Sequence, residues 1–250
     1  NQWISKELSL KEIDAFHEAR EITSVKPVAV HDSYLINLAS PLQENRKRSS
    51  EALLDELMRA DRLNIPYVVM HPGAHRGDGE KRGIGRISEA LNRILDHTSH
   101  LRVKILLETT AGQGTSIGYR FEQLAEILER TDFQERLGVC LDTCHVFAAG
   151  YDFGDKDTYE KLIRDFDTSI GLSRLKLFHV NDSKKGSGSR IDRHEHIGQG
   201  LIGEAAFSFF LNSPLFKEIP FLLETPKGTD EFGTDLDLIN LGILRHLMEE

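Results

Sequence analysis

The chain has 250 residues, of which 39% are hydrophobic and 28% charged, a composition typical of a folded globular protein and unlike that of a disordered or fibrous one. Its apolar runs are far shorter than the roughly 18 to 20 residues that cross a bilayer, so the sequence predicts no membrane-spanning segment, and no secretory signal is expected at its start. The formal charge of −9 argues against a broadly basic coat for nucleic acid, although bound metal ions would reverse that balance locally.

Six short apolar runs of the kind that forms β-strands follow one another along the chain, and each ends at a histidine or a carboxylate. Stretches of helical periodicity separate these runs. The first helix is predicted after Ser9, which forms a capping box with Glu12, and residues 50–64 form another, ending at Asn64. The predicted strands are 27–30, 67–70, 104–107, 138–141, 175–178 and 221–223, and the residues that end them are His31, His71, Glu108, Asp142, His179 and Glu224.

The alternation of strands and helices predicts a parallel α/β sheet. The strand ends lie about 39 residues apart, the size of one βα unit with generous loops, and eight such units would need roughly 310 residues. We therefore predict an α/β TIM barrel with six readable strands, in which the first two strands are not evident, and one domain over residues 1–250.

The carboxyl ends of parallel barrel strands meet at one rim, so the six strand-ending side chains are expected to lie close together. Three further residues are expected to join them. His145 lies one turn beyond Asp142, and a long glycine-rich loop contains Asp192 and His194, which face the same side of an extended segment. Mixed histidine and carboxylate ligands favour Zn²⁺ or Mn²⁺, and clustered ions of this kind hydrolyse phosphate esters.

Two cysteines, Cys140 and Cys144, exclude a disulfide scaffold and indicate a reducing compartment, here the cytoplasm. We interpret both as small buried groups. The remaining histidines are interpreted as surface or structural residues, with His196 the strongest contender for an additional ligand because it shares the extended face of His194.

Several motifs together resemble the endonuclease IV family of apurinic/apyrimidinic (AP) endonucleases, and the resemblance covers essentially the whole chain. The motifs are HDSYLINL from His31, HPG from His71, ETTAGQG from Glu108, GVCLDTCHVFAAGYD from Gly138, HVND from His179, DRH from Asp192 and LET from Leu223.

The resemblance implies a TIM barrel that binds three zinc ions per chain, with Mn²⁺ as a substitute. It assigns His31, His71 and Glu108 to the first ion. Asp142, His179 and Glu224 complete the second site, to which Glu108 bridges, and His145, Asp192 and His194 hold the third ion. Glu108, Glu224 and His194 are the residues to which we assign catalytic roles.

The implied reaction is cleavage of the phosphodiester 5′ to an abasic site in double-stranded DNA, leaving a 3′-hydroxyl, together with removal of 3′-blocking groups. The enzyme is expected to be a monomer. The resemblance assigns DNA contacts near the flipped-out nucleotide to Tyr34 and Leu35. We add Gln113, Arg190 and Arg193 as predicted DNA contacts. The family's sequences begin further upstream, with two more strands, and its arginine that enters the base stack falls on Asn1, two positions before Trp3.

Two alternatives stay open at this point. A divalent-metal sugar isomerase or epimerase of the same barrel type would explain a quartet of Glu, Asp, His and Glu at successive strand ends, but not His31, His145 or the Asp192-Arg-His194 unit. A non-catalytic binder of abasic DNA would share the metal ligands without the reaction.

Overall fold

The computed structural model describes residues 6–26 and 29–248, which form two compact units. Of these described residues, the first unit comprises 6–26, 29–108 and 123–138, and the second comprises 109–122 and 139–248. Asn1, Trp3, Pro27 and Val28, on which parts of the predictions fall, lie outside the described residues. Among the described helices, none combines the length and the apolar character needed to cross a membrane.

The first unit contains three parallel strands in the order β1-β2-β3. Val30 pairs with Val68, and Val69 pairs with Leu106, so the strands run side by side towards their carboxyl ends. The side chains of Val68 and Val69 in β2 and of Leu106 and Leu107 in β3 are completely buried, as expected for parallel strands covered by helices. The strands are β1 (Ala29–His31), β2 (Tyr67–Met70) and β3 (Lys104–Glu108), and the helices are α1 (Leu10–Thr23), α2 (Gln43–Arg62) and α3 (Glu80–His97).

The ends of these helices confirm two local predictions. The Ser9 hydroxyl accepts a hydrogen bond from the backbone N–H of Glu12 at 3.3 Å, and the Glu12 carboxylate accepts one from the N–H of Ser9 at 2.8 Å, completing the capping box of α1. Asn64 follows α2 in the left-handed region, with φ of 52°. Helix α2 starts at Gln43, earlier than predicted. The prediction missed its first two turns because they are polar and carry no apolar periodicity.

The second unit is built on the parallel strands β4, β5 and β8, of which β4 enters this unit at Val139. A two-stranded antiparallel pair, β6 with β7, was not predicted. The strands are β4 (Leu137–Asp142), β5 (Leu175–His179), β6 (Asp182–Ser183), β7 (His194–Glu195) and β8 (Phe221–Leu222). The remaining helices are α4 (Phe121–Glu129), α5 (Thr143–Ala149), α6 (Lys156–Ser169), α7 (Glu204–Leu211) and α8 (Leu236–His246), with 3₁₀ turns at Gln134–Arg136, Leu172–Arg174 and Pro214–Phe216.

An aromatic cluster forms the core of the second unit beside β5. Phe178 is fully buried and stacks on Phe221 of β8 with ring centroids 4.7 Å apart, while Phe210 and Phe216 meet it edge-on. This packing fixes β5 against β8, so that His179, the next residue, pairs with Leu222. The core therefore positions the strand ends that carry polar side chains.

Candidate metal centre

Three predicted ligands meet at the strand ends of the first unit. His31 ends β1, His71 follows β2 and Glu108 ends β3. The Glu108 Oε2 atom lies 2.8 Å from His31 Nε2 and 3.1 Å from His71 Nε2, and the two imidazole centroids are 5.3 Å apart. We call these three residues the first trio. Glu108 is completely buried, so its charge needs a cationic partner at this point.

The electrostatics of the first trio favour a positive charge. Burial alone would lower the pKa of His31, but the hydrogen bond and charge of Glu108, together with the charge of Asp32, outweigh it and raise the pKa to about 9. Burial also raises the pKa of the Asp32 carboxyl well above its usual value. His31 Nδ1 lies 2.9 Å from the backbone oxygen of Asp32. When Nδ1–H donates a hydrogen bond to that oxygen, the imidazole presents its Nε2 atom to Glu108 or to a metal ion.

A second trio, Asp142, His179 and Glu224, lies at the ends of β4, β5 and β8. The pairing of Asp142 with His179 places these two side by side, and His179 Nδ1 lies 3.1 Å from Glu224 Oε2. The ligand atoms of all three residues lie within 4.8 Å of one another. Asp142 and His179 are buried, whereas the Glu224 side chain is about one third exposed.

A third trio consists of His145, Asp192 and His194. His145 lies in α5 directly after β4, whereas β7 and the loop before it carry the other two. His145 Nδ1 lies 2.8 Å from the backbone oxygen of Thr109, and His194 Nδ1 lies 3.2 Å from that of Glu224. Both rings therefore direct Nε2 at Asp192, the arrangement in which imidazoles bind metals.

The spacing of the third trio fits a tetrahedral ion. Asp192 Oδ2 lies 3.2 Å from His145 Nε2, Asp192 Oδ1 lies 3.4 Å from His194 Nε2, and the two Nε2 atoms are 3.4 Å apart. Two ligands that each lie about 2.0 to 2.1 Å from a tetrahedral Zn²⁺ are themselves about 3.4 Å apart. Nitrogen and carboxylate donors at this spacing suit zinc, and they disfavour Ca²⁺ or Mg²⁺, which prefer oxygen ligands alone.

The two cysteines are buried, as predicted, and neither forms a disulfide. Cys144 lies near Asp142 and His194, within reach of a metal held by them. Burial, with a contribution from the charge of Asp142, raises the pKa of Cys144 to about 12, so the thiol stays protonated at neutral pH. Because the thiolate is the form that binds metals, the imidazoles and carboxylates are the better ligands here.

Two buried polar residues that sequence reasoning left without a role support these ligands. Asn181 donates from Nδ2 to Asp142 Oδ2 at 2.6 Å, and its Oδ1 accepts from the backbone N–H of Glu224 at 2.8 Å. Asp182, the next residue, accepts hydrogen bonds from Gly198 and Gly200 in the turn that follows β7. Both belong to the HVND motif, so the signal was present, but their partners lie far away in the chain.

The predicted DNA contacts fall in different local settings. Tyr34 is 74% exposed in a turn of the first unit, with Leu35 beside it half-buried. Gln113 accepts a hydrogen bond from the backbone N–H of Asp192 at 3.1 Å, and Arg193 donates to the backbone oxygen of that same residue at 2.6 Å. DNA contact by these residues stays a prediction, and the geometry adds that Gln113 supports the third trio.

Arg190 has the most constrained setting of these residues. Its guanidinium lies over the ring of Tyr119, 4.3 Å from the centroid, and its backbone adopts φ of 54°, in the left-handed region. The ring of Tyr119 in turn packs where a side chain at Gly112 would stand, 2.7 Å from that position. The local structure therefore presents an exposed, oriented cation two residues before Asp192.

The other histidines are placed as interpreted. His196 Nδ1 lies 3.0 Å from the side-chain nitrogen of Asn240, and His75 Nδ1 accepts from the N–H of Gly79. Within residues 6–26 and 29–248, none of the ligand groups that could hold a metal includes either residue. His196 is therefore a structural residue of the second unit.

Comparison with known proteins places the chain in a class. Residues 1–241 match the family described as xylose isomerase-like TIM barrel, which confirms the predicted α/β TIM barrel. The crystal structure of endonuclease IV from Thermus thermophilus superimposes with a TM-score of 0.84 and 38% identity, over 98% of this chain and 84% of that one. The probable endonuclease 4 of Chloroflexus aggregans is 51% identical over 247 residues, covering 99% of this chain and 85% of the relative. The chain belongs to the endonuclease IV family and is an enzyme of the deoxyribonuclease IV type.

The isomerase alternative shares only the architecture. A D-psicose 3-epimerase from Clostridium cellulolyticum superimposes with a TM-score of 0.72 at 17% identity, over 97% of this chain and 86% of that one. Identity this low establishes a common fold and carries no functional conclusion.

Proposed function

We propose that the chain cleaves the phosphodiester 5′ to abasic sites in double-stranded DNA, leaving a 3′-hydroxyl, and removes 3′-blocking groups, as a zinc enzyme with three ions per chain. The observation that carries this proposal is the grouping of nine imidazole and carboxylate donors into three trios, each with its ligand atoms within 4.8 Å of one another. Membership of the endonuclease IV family supplies the substrate class.

The residues of the chain have definite tasks in this reaction. Bound zinc would supply a lowered pKa for the attacking water and positive charge beside the phosphoryl and leaving oxygens. Glu108, Glu224 and His194 each belong to a different trio, and we assign them catalytic roles because they would hold the ions that face the reacting phosphate. His31 must release the proton that it shares with Glu108 before both can act as ligands.

The charge of the ligands matches a DNA substrate. Four carboxylates among the nine ligands neutralise only part of the charge of three divalent ions, so an acidic chain would present a positive site to a phosphodiester. Tyr34 and Leu35 are proposed to contact the DNA beside the lesion. An abasic nucleotide is the easiest to extrude, because it has no base to unstack.

The test combines metal analysis with a nicking assay on a duplex that contains one abasic site. We expect about three zinc ions per chain and a nicked product whose 3′ end a polymerase can extend. His194→Ala should lose one ion and at least a hundredfold in rate, whereas His246→Ala, on the exposed last turn of α8, should change neither.

Two outcomes would select the alternatives. Full zinc content with abasic-DNA binding but no nicking would favour the binder, and a single ion with turnover of a ketose would favour the isomerase. An unchanged rate in His194→Ala would remove that residue from the mechanism.

A further inference from the structure

Asp182 is a buried carboxylate that no metal trio contains, and its side chain is surrounded by backbone N–H groups. Its Oδ1 accepts from Ser183 at 2.7 Å and from Ile202 at 3.0 Å. Its Oδ2 accepts from Gly198 at 3.0 Å and from Gly200 at 3.1 Å. Three of these four donors belong to residues 198–202, so one side chain gathers the whole turn that follows β7.

The turn fits closely against this carboxylate. A Cβ atom at Gly200 would lie 2.4 Å from Asp182 Oδ1 and 2.6 Å from the backbone oxygen of Ser183, closer than atoms can approach without displacement. The N–H of Leu201 also donates to that Ser183 oxygen, at 2.8 Å. Only glycine at position 200 therefore allows the turn to reach Asp182.

The turn is connected directly to the third trio. Ser183 pairs with His194 across the β6-β7 ladder, and the N–H of Lys184 donates to the oxygen of Arg193 at 2.9 Å. The backbone on both sides of His194 is thus attached to the segment that begins at Asp182. His145, in contrast, lies on α5, directly after β4.

We propose that Asp182 is the positioning residue of the third metal site: by binding the turn at residues 198–202 it places Asp192 and His194 opposite His145. The inference rests on the proposed function only in taking the third trio to hold an ion. It predicts a selective loss, in which the third site fails while the first and second trios, whose ligands end strands of the sheet, keep their ions.

The primary variant is Asp182→Asn, which preserves size but turns one acceptor oxygen into an NH₂ donor. In either orientation of the amide, that NH₂ group faces two of the four backbone donors. Gly200→Ala disturbs the same contact from the other side. Gly186→Ala is the matched control, because a Cβ atom there meets nothing within 4 Å and the residue is in the neighbouring loop between β6 and β7.

The first readout is hydrogen exchange of the chelated protein, which needs neither metal nor DNA. Amides of residues 198–202 should exchange at least tenfold faster in Asp182→Asn and Gly200→Ala than in the wild type or Gly186→Ala. Amides of Tyr67–Met70 in the first unit should be unchanged, which shows that the variants are folded. The second readout is zinc content, expected to fall from about three to about two per chain.

The third readout separates positioning from general stability. In nicking assays, kcat should fall at least tenfold while KM changes less than threefold. Wild-type exchange at 198–202 with wild-type zinc content would overturn the inference, as would parallel loss of all three ions. If the wild type binds three zinc ions but does not nick abasic DNA, the proposed reaction fails, while the exchange and zinc results still decide the role of Asp182.

Discussion

Replacing Asn181 by alanine tests whether a buried amide sets the geometry of the second trio. The side chain is fully buried and makes two hydrogen bonds, one to the Asp142 carboxylate at 2.6 Å and one from the N–H of Glu224 at 2.8 Å. The third bond, to Thr143 Oγ1, uses the backbone N–H and survives the change. Asn181→Ala therefore removes two side-chain bonds and leaves two buried polar groups without those partners.

The expected cost follows from these two groups. Each buried group deprived of its partner costs about 1 to 3 kcal/mol, and the bond to the carboxylate is the stronger because one partner is charged. We expect the chelated variant to lose about 3 kcal/mol in the free energy of unfolding. Loss of an outer partner of a metal ligand typically costs about 10- to 100-fold in affinity, so zinc binding at the second trio should weaken by that factor.

The assays are urea unfolding of the chelated protein and zinc competition against a chromophoric chelator. Asn92→Ala is the matched control, since Asn92 also makes two side-chain hydrogen bonds, to Arg130 and Asp132, but at a more exposed position among residues that are not metal ligands. It should lose less than about 1 kcal/mol and no zinc affinity. If Asn181→Ala matched that control in both assays, the amide would have no part in holding Asp142 or Glu224.

Four further predictions concern the charge and packing of the site. The proton that His31 holds with a pKa of about 9 must leave before a metal ion binds. The zinc affinity of the first trio should therefore rise about tenfold per pH unit from pH 7 to about 9 and then level off. An affinity that does not change with pH would contradict the proposal that His31 and Glu108 share a proton. Protonated His31 also stabilises the metal-free fold. Its contribution to the free energy of unfolding is complete below pH 6.5 and is lost as the pH rises through about 9, so urea unfolding should show stability declining between these two pH values. Arg190→Ala should lower the slope of log affinity for abasic duplex against log salt by about 0.9, the release of one counterion, and an unchanged slope would exclude a phosphate contact. Phe178→Ala, which empties the aromatic core beside β5, should cost about 3 to 5 kcal/mol of unfolding free energy in urea melts, and a loss below about 1 kcal/mol would mean that the core refills.

The strand ends could be predicted from the sequence because two independent signals coincide there. A β-rich run predicts where a strand stops, and a histidine or carboxylate in that position marks the same residue chemically. Tyr67–Met70 agrees at both ends. The strands β3 and β5 extend one residue beyond their predicted carboxyl ends, because the ligand itself belongs to the strand, and β4 extends one residue at each end. The first and second trios follow from the order of strand ends at one edge of a parallel sheet, which needs no knowledge of side-chain packing.

Other features depend on contacts that no local pattern contains. The first turns of α2 are polar, and Arg46 stabilises that end by donating to the backbone oxygens of Ser40 and Pro41 at 2.8 and 2.9 Å. Strands β6 and β7 have two residues each, too few for any periodicity to be recognised in the sequence. The turn that follows β7 is held by hydrogen bonds that its backbone N–H groups donate to the Asp182 carboxylate. The residues that support the metal ligands are therefore visible only when the fold has brought distant segments together.

Three of the ligand imidazoles share one means of orientation, which bears on how the trios tolerate sequence change. His31, His145 and His194 each direct Nδ1 at a backbone carbonyl oxygen, at 2.9, 2.8 and 3.2 Å. A carbonyl partner fixes the ring without the additional negative charge that a carboxylate partner would bring, so the bound ion keeps more of its capacity to polarise a phosphate. Since the partner is main chain, substituting its side chain cannot remove it. The metal site therefore depends on the backbone at strand ends, and groups that hold that backbone, such as Asn181 and Asp182, matter more than their distance from the metal would suggest.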